Sequence, residues 1–266
     1  MIRIAVAGCC GRMGRRITAL VAAAQDLRLA SVFERKGHAN LSHDLAGVLP
    51  GKNLPLITDN AEEAVRAADV LIDFTSPQAT LEHMVYVKKH KKKAVIGTTG
   101  LSPSECARIK KMAGDIPIVL SPNMSVGVNL LFKLSDLVAH ILADDYDVEI
   151  VEYHHKHKKD APSGTAAKLA EIIAATRGVS LARKGVYGRK GIIGEREKGT
   201  IGVHAVRGGD VVGEHTVSFF GESERLELRH QASSRDTFAR GALVAARFIA
   251  KKKKGLYSMQ DVLGLV

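Results

Sequence analysis

A chain of 266 residues, 45% hydrophobic and 25% charged, has enough material for one large or two smaller packed domains, which excludes a disordered or fibrous chain. Lys and Arg outnumber Asp and Glu by 39 to 28, and the net charge of +11 suits anionic ligands: nucleic acid, anionic lipid, or small phosphates and carboxylates. Trp is absent and aromatics are 5%, so no platform for stacking bases is in sight. The three Cys (9, 10 and 106) lack metal-ligand spacing and point to a reducing compartment without structural disulfides. With no leading signal peptide and no apolar run of membrane-spanning length, the expectation is a cytoplasmic protein with neither a membrane nor a nucleic acid as partner.

Ile2–Ala7 is a short apolar run. Gly8-Cys-Cys-Gly-Arg-Met-Gly14 follows, then a helical pattern to about Gln25. Strand, glycine turn and helix in this order let phosphates approach backbone N–H groups at a helix N-terminus, although the spacing is G-x-x-G-x-x-G. A plain glycine turn would use the same residues. Cys9 and Cys10 are expected to be small packing residues of this turn. A second strand, Leu27–Phe33, ends at Glu34-Arg35, about 20 residues after Gly14. An acidic residue there can bond adenosine ribose hydroxyls and the adjacent Arg35 can pair with a 2′-phosphate, so NADPH fits and NADH is not excluded. Gly37–Pro55 reads as a long loop.

Asn60 can cap a helix over Ala61–Ala67, and Val70–Thr75 is a near-continuous apolar strand of the kind found in covered parallel sheets. Further strands are expected at Ala94–Ile96, before Gly97-Thr98-Thr99-Gly100, and at Ile116–Leu120, before Ser121-Pro122-Asn123-Met124. Ser102-Pro103-Ser104-Glu105 between them is a capping box. After Asn123 the pattern changes to a helix (Val126–Leu142), a strand (Asp147–Tyr153) and three strands without intervening helices (Thr200–Arg207, Glu214–Phe219, Arg225–Gln231). These belong to a second domain whose sheet is antiparallel in part. A final amphipathic helix spans Arg235–Ala250. The basic runs at 88–93 (KKHKKK) and 251–254 (KKKK) lie at predicted helix ends, where cations complement the helix dipole.

Between those domain-two elements lies Glu152–Ala166, EYHHKHKKDAPSGTA, the densest titratable stretch of the chain. Three His and three Lys precede Pro162-Ser163-Gly164-Thr165, which reads as a helix start with a capping Ser. Cations facing an open helix N-terminus form a site for an anion, most simply a carboxylate. His155 and His157 fall on one strand face and His154 on the other, so no metal is expected there. His157 is given no role.

The chain resembles the 4-hydroxy-tetrahydrodipicolinate reductase (dihydrodipicolinate reductase) family over nearly its whole length. The resemblance rests on VAGCCGRMG, FER, IDFTSP, VIGTTG, SPNMSVGVN, EYHHKHKKDAPSGTA, RGGDVVGEHTV and ERLELRHQASSR. It implies an α/β fold: a Rossmann-like doubly wound parallel sheet over 1–126, completed by 236–266, and an α+β substrate and oligomerisation domain with an open mixed sheet over 127–235. It further implies a homotetramer, NADPH or NADH as cofactor, and a small dicarboxylate substrate of lysine and diaminopimelate biosynthesis. Carried over by motif, Gly8, Cys9, Cys10, Gly11, Arg12 and Met13 cradle the pyrophosphate, and Glu34 and Arg35 hold the adenosine ribose and its phosphate. Gly97, Thr98 and Thr99 lie along the nicotinamide with Ser121, Pro122, Asn123 and Met124. His154 and Lys158 are then the acid groups, and His155, Gly164 and Thr165 bind substrate. The readings left beside this one are another Rossmann-type dehydrogenase, a nicotinamide-sensing regulator and a basic nucleic-acid-binding protein.

Overall fold

Short apolar runs, each followed by a helical pattern, can bury both faces only as a parallel sheet with helices on either side. The computed structural model, which describes residues 1–43, 45 and 54–265, has this arrangement in its first unit. In chain order come β1 (Ile2–Ala7), α1 (Arg12–Ala23), β2 (Leu27–Phe33), β3 (Ile57–Thr58), α2 (Ala61–Ala67), β4 (Val70–Asp73), α3 (Pro77–Lys89), β5 (Lys93–Ile96), α4 (Pro103–Met112) and β6 (Pro117–Leu120). Residues 44 and 46–53 of the Gly37–Pro55 loop lie outside the described residues. The second unit holds α5 (Val126–Leu142), β7 (Asp147–His154), α6 (Gly164–Thr176), α7 (Leu181–Lys184), β8 (Gly185–Val186), β9 (Ile201–Arg207), β10 (Gly213–Phe220) and β11 (Arg225–Ala232). The chain then returns to the first unit with α8 (Asp236–Ala250), β12 (Gly255–Tyr257) and α9 (Met259–Leu263). The two units comprise residues 1–126 with 235–266, and 127–234.

The first sheet has the order β3-β2-β1-β4-β5-β6-β12, all parallel, the doubly wound arrangement. Register fixes what this arrangement can do. Phe33, Ala7, Asp73, Ile96 and Leu120 form one row across five strands. The next residue of each strand, Glu34, Gly8, Phe74, Gly97 and Ser121, therefore lies along one carboxyl edge. Helix starts follow the sequence signals: Asn60 accepts from Glu63 N–H, and Ser102 and Glu105 close a full capping box. The short strands β3, β8 and β12, of two or three residues, carry too little pattern to be legible beforehand.

Two apolar layers sandwich this sheet. One gathers Ile4, Val6, Ile17, Val21, Ile72 and Val95 with Ala242, Ala246 and Ile249 of α8; the other gathers Leu71, Met84, Val87, Ile96, Ile109 and Ile118. The returning helix α8 is thus a structural half of the first unit, tied by Arg16–Asp236 and Arg247–Asp26 ion pairs at 2.5 and 2.7 Å. In the second unit the sheet order is β11-β10-β7-β9-β8, with β7–β9 and β8–β9 parallel and β10 antiparallel to both its neighbours. Its core is Val148, Ile150, Val203, Val217 and Phe219 against Leu131 and Phe132 of α5 and Leu169 and Ile173 of α6.

The helical segment Val126–Asp145 is long and apolar enough, by length and composition alone, to cross a membrane, a run the sequence patterning passed over. Its inner face belongs to the second core, while Leu130, Leu134, Leu137 and Ile141 are exposed. The basic runs end helices as expected. Lys88 pairs with Asp115, Lys89 with Glu62, and Lys252 lies over the Phe248 ring.

Gly241 sits inside α8, where an added Cβ would stand 1.7 Å from the Met124 carbonyl oxygen. Helix propensity alone makes Gly→Ala stabilising by about 1 kcal/mol. Overpacking of about 1–3 kcal/mol reverses the sign. Gly241→Ala is expected to lower Tm, by up to roughly 8 °C, in thermal unfolding followed by circular dichroism. An unchanged or higher Tm would contradict this packing.

Candidate active site

Strand β7 alternates in burial, so Val148, Ile150 and Glu152 face inward. That periodicity puts a carboxylate, with no solvent exposure, where the pattern asks for an apolar side chain. A buried charge persists only if paired and hydrogen-bonded. Glu152 is both. Arg207 forks onto it, Nη1 to Oε2 at 2.8 Å and Nη2 to Oε1 at 2.9 Å, and the Ser163 N–H donates to Oε1 at 2.9 Å. His154 lies two residues on and therefore on the same face, and its Nδ1 is 2.5 Å from Oε2. Arg207 is brought there by register, since it stands opposite His154 in the β7–β9 ladder.

The same carboxylate anchors the helix start. Ser163 caps α6 by accepting from Ala166 N–H at 3.2 Å, and its hydroxyl is 3.0 Å from His215 Nε2 on β10. Gly164 opens the helix at an exposed position with nothing within 4 Å of where a Cβ would be; Thr165 follows, half-buried. The His-Lys segment between strand and helix is strapped to the turn after β9. His155 N–H donates to Val211 O, Lys156 N–H to Gly209 O, and Gly208 N–H to His154 O, at 2.8, 3.2 and 3.0 Å. Lys158 Nζ reaches Asp160 at 2.8 Å.

The three His of this stretch do not converge. The His154 ring packs edge-on against His215 at 5.3 Å between centroids, while His155 and His157 lie 6.2 Å apart. Nor is the segment the bare cationic cluster that composition suggests. Glu152 answers Arg207, and Asp160 answers Lys158.

Electrostatics divide the site. Burial works against a charge on Glu152, but the Arg207, His154 and Ser163 hydrogen bonds outweigh it and hold the carboxyl below its ordinary range. Burial lowers His154 from its ordinary value, offset in part by Glu152. His215 is pushed down to about 3, chiefly by burial and then by His154, so it is neutral at physiological pH. An ionised carboxylate only accepts, so the proton between Glu152 and His154 sits on Nδ1 and leaves Nε2 as the outward nitrogen. A Cβ on Gly213 would come within 2.9 Å of that Nε2.

In the first unit the carboxyl edge gathers the other sequence-derived residues. Gly8 takes φ +62°, and a Cβ on Gly14 would meet its carbonyl oxygen at 2.0 Å, so the turn closes only on glycine. Gly11 N–H donates to Gly8 O at 2.9 Å. Arg12 and Met13 open α1. Glu34 folds back over the turn, with Oε1 accepting Cys10 N–H at 2.8 Å and Oε2 accepting Arg35 N–H at 3.3 Å. Burial, with Cys10 and Glu34 adding to it, pushes the Cys9 thiol up. Beside the turn a cavity of about 570 Å3 is lined by Gly8, Glu34, Arg35, Asn60, Thr75 and His83 among others. A turn that excludes Cβ atoms, an acidic residue at the end of β2 and a cavity between them fit a dinucleotide.

Other positions have additional structural reasons. A Cβ on Gly97 would lie 2.2 Å from the Phe74 ring, so packing alone demands glycine there. Thr98 is buried and bonded at 2.8 Å to Thr80, while Thr99 is exposed. Ser121 Oγ donates to Asn123 O, Pro122 is exposed, and the Met124 side chain lies in the core. Four participants carry no role in the sequence pattern: Arg207 and His215 around Glu152, and Asp73 with His83; Ser163, expected as a cap, also donates its N–H to Glu152. Fully buried Asp73 bonds His83 Nδ1 at 2.7 Å and the Thr75 hydroxyl at 2.6 Å under the loop after β4. Glu152 itself is visible in the sequence as a charge at an inward strand position.

With this geometry in view, known proteins give a consistent picture. Family models described as dihydrodipicolinate reductase, N-terminus and C-terminus, match residues 2–124 and 127–263. A 4-hydroxy-tetrahydrodipicolinate reductase of Nitrosomonas europaea is 52% identical over 99% of this chain and 98% of its own, and one of Syntrophus aciditrophicus is 50% identical over 99% of both. A dipicolinate-bound dihydrodipicolinate reductase from Paenisporosarcina superposes with a TM-score of 0.79 at 27% identity, covering 98% of this chain and 99% of that one. An amine dehydrogenase of Mycobacterium smegmatis shares the fold at 13% identity, with a TM-score of 0.60 over 97% of this chain and 95% of that one. Both halves of the sequence and the whole of the fold agree, and the chain belongs to the dihydrodipicolinate reductase family.

Proposed function

We propose that the chain catalyses the NAD(P)H-dependent reduction of 4-hydroxy-tetrahydrodipicolinate to tetrahydrodipicolinate in lysine and diaminopimelate biosynthesis. A bound reduced nicotinamide dinucleotide supplies the hydride, and the remaining work falls to the protein. Gly8–Met13 would cradle its pyrophosphate, Glu34 its adenosine ribose and Arg35 a 2′-phosphate when NADPH is used. Gly97–Thr99 and Ser121–Met124 would flank its ring, the last two segments through backbone where their side chains are buried. A cytoplasmic homotetramer is the setting this reading implies.

The observation that carries the reading is the Glu152–His154 hydrogen bond inside a charge-neutralised, water-excluded hub. Hydride delivered to a conjugated C=C–C=N system leaves electron density on carbon, and that carbon must take up a proton. Nδ1 is committed to Glu152, so His154 can give that proton only from Nε2. In the free protein burial keeps this ring neutral near pH 7. A substrate with two carboxylates raises its basicity, so the proton arrives with the substrate. One carboxylate fits the Gly164 and Thr165 end of α6, where the positive end of the helix dipole favours negative charge. Lys158 supplies charge, and competes for the proton-donating role, once substrate displaces the exposed Asp160; His155 completes the grip.

The direct assay couples pyruvate and aspartate semialdehyde through the preceding synthase to loss of reduced-nicotinamide absorbance, with NADH and NADPH side by side. No absorbance loss with either coenzyme would defeat the proposal. His154→Ala and Lys158→Ala are each expected to lower kcat by roughly 100-fold or more, the scale of a lost acid catalyst. Near-normal turnover in both would remove them from the chemistry. The pH profile tests the hub separately. An acid catalyst must be protonated, so kcat/KM should fall as pH rises through the lowered pKa of free His154, and kcat should fall at higher pH because substrate raises that pKa. Glu152→Gln removes a raising influence and should move the kcat/KM limb to still lower pH. An unmoved limb in a folded Glu152→Gln enzyme would show that Glu152 does not act through His154.

A further inference from the structure

The glycine turn carries chemistry that binding a dinucleotide does not require. Cys9 Sγ, Cys10 Sγ and a Glu34 carboxylate oxygen all lie within 4.8 Å of one another. Both cysteines are free. The pair is poorly placed for a disulfide, because adjacent Cα atoms stand about 3.8 Å apart and a disulfide needs about 4.4–6.8 Å. Coordination has no such demand. Donors around a tetrahedral zinc ion stand roughly 3.5–3.8 Å apart, given bonds of about 2.3 Å to sulfur and 2.0–2.2 Å to oxygen. Closing the three donors onto one ion thus takes side-chain movement of about 1 Å.

The surroundings suit a soft cation. A cavity of about 200 Å3 is lined by Cys9, Cys10, Arg15, Asn40 and His43, among others. Asn40 Nδ2 already donates to Cys10 Sγ at 3.6 Å, a polar group turned toward the sulfur. Two thiolates and a carboxylate on a divalent ion leave one net negative charge, and Arg15 on the same wall offsets it. The His43 ring or a water can fill the fourth position. Two sulfur donors select thiophilic ions such as Zn2+ or Cd2+ over Mg2+ or Ca2+.

We infer that Cys9, Cys10 and Glu34 form an inhibitory site for a thiophilic divalent cation, whose occupancy excludes the dinucleotide. Binding replaces two thiol protons, which leave to solvent, and no electron is transferred. Exclusion rests on the role proposed for Glu34 in cofactor binding: its carboxylate cannot hold a metal and the adenosine ribose together.

The test is titration of the reduced full-length protein with CdCl2, watching the near-ultraviolet thiolate-to-cadmium band, and with ZnCl2 as competitor. One equivalent of cadmium should raise the band. Cys106→Ser should keep it, Cys10→Ser should lose it or weaken affinity at least tenfold, and Glu34→Gln should weaken affinity severalfold. Cys9 is core-packed, so the decisive variant is that of the half-buried Cys10. Cadmium on the imidazoles of 154–157 gives no thiolate band and is told apart. No band, or a band that survives Cys10→Ser, overturns the site. Zinc occupancy should raise the dissociation constant of NADPH at least tenfold in a direct fluorescence titration; an unchanged constant overturns the exclusion. If metal-free protein binds no dinucleotide at all, the functional reading fails, while the cadmium titration still reports on the thiols.

Discussion

A carboxylate shut away from water must find its counter-charge within the fold, and the second unit is arranged around that requirement at Glu152. Four hydrogen bonds converge on it from three parts of the chain: the end of β7, the end of β9 and the cap of α6. Removing one partner of a buried pair typically costs about 3–5 kcal/mol, so these segments cannot drift independently. For the proton-donating role proposed for His154, the consequence is orientation. One interaction fixes which nitrogen of His154 faces outward, and the same carboxylate sets the start of the helix proposed to hold a substrate carboxylate.

The first unit meets its functional demand through topology. All seven strands run parallel, so every strand-to-helix turn that begins at the row Phe33, Ala7, Asp73, Ile96 and Leu120 opens on the same edge. Glycines there serve two ends. Gly8 and Gly14 let the first turn close on itself, whereas Gly97 makes room for Phe74. The Asp73–His83–Thr75 bonds brace the loop beside the cavity, whose wall His83 and Thr75 help to form.

Much of this was legible in the sequence because it is local. The apolar runs, the capping residues Asn60 and Ser102, the glycine turn and the helix start at Ser163 each carry their signal within a few residues. The hub did not. Arg207 and His215 lie 53 and 61 residues beyond His154, and only the pairing of β7 with β9 and β10 brings them to it. The histidine grouping came out as expected, His154 apart from His155 and His157, although by a turn and not by strand alternation, because β7 ends at His154 and the following residues turn away to the 208–211 segment. Charge counting predicted a strongly cationic loop, but Asp160 is committed to Lys158 within it, and Glu152 at its start to Arg207 of β9. Composition records charges and cannot record pairings.

The tautomer of His154 is the point where all of this meets chemistry, and nitrogen-15 NMR of the imidazole reads it directly. In the ligand-free protein near neutral pH, the account predicts a protonated Nδ1 and a bare, pyridine-like Nε2, with the Nδ1 resonance moving when Glu152 is replaced by Gln. A ring protonated on Nε2 instead, or an Nδ1 resonance indifferent to Glu152, would contradict it.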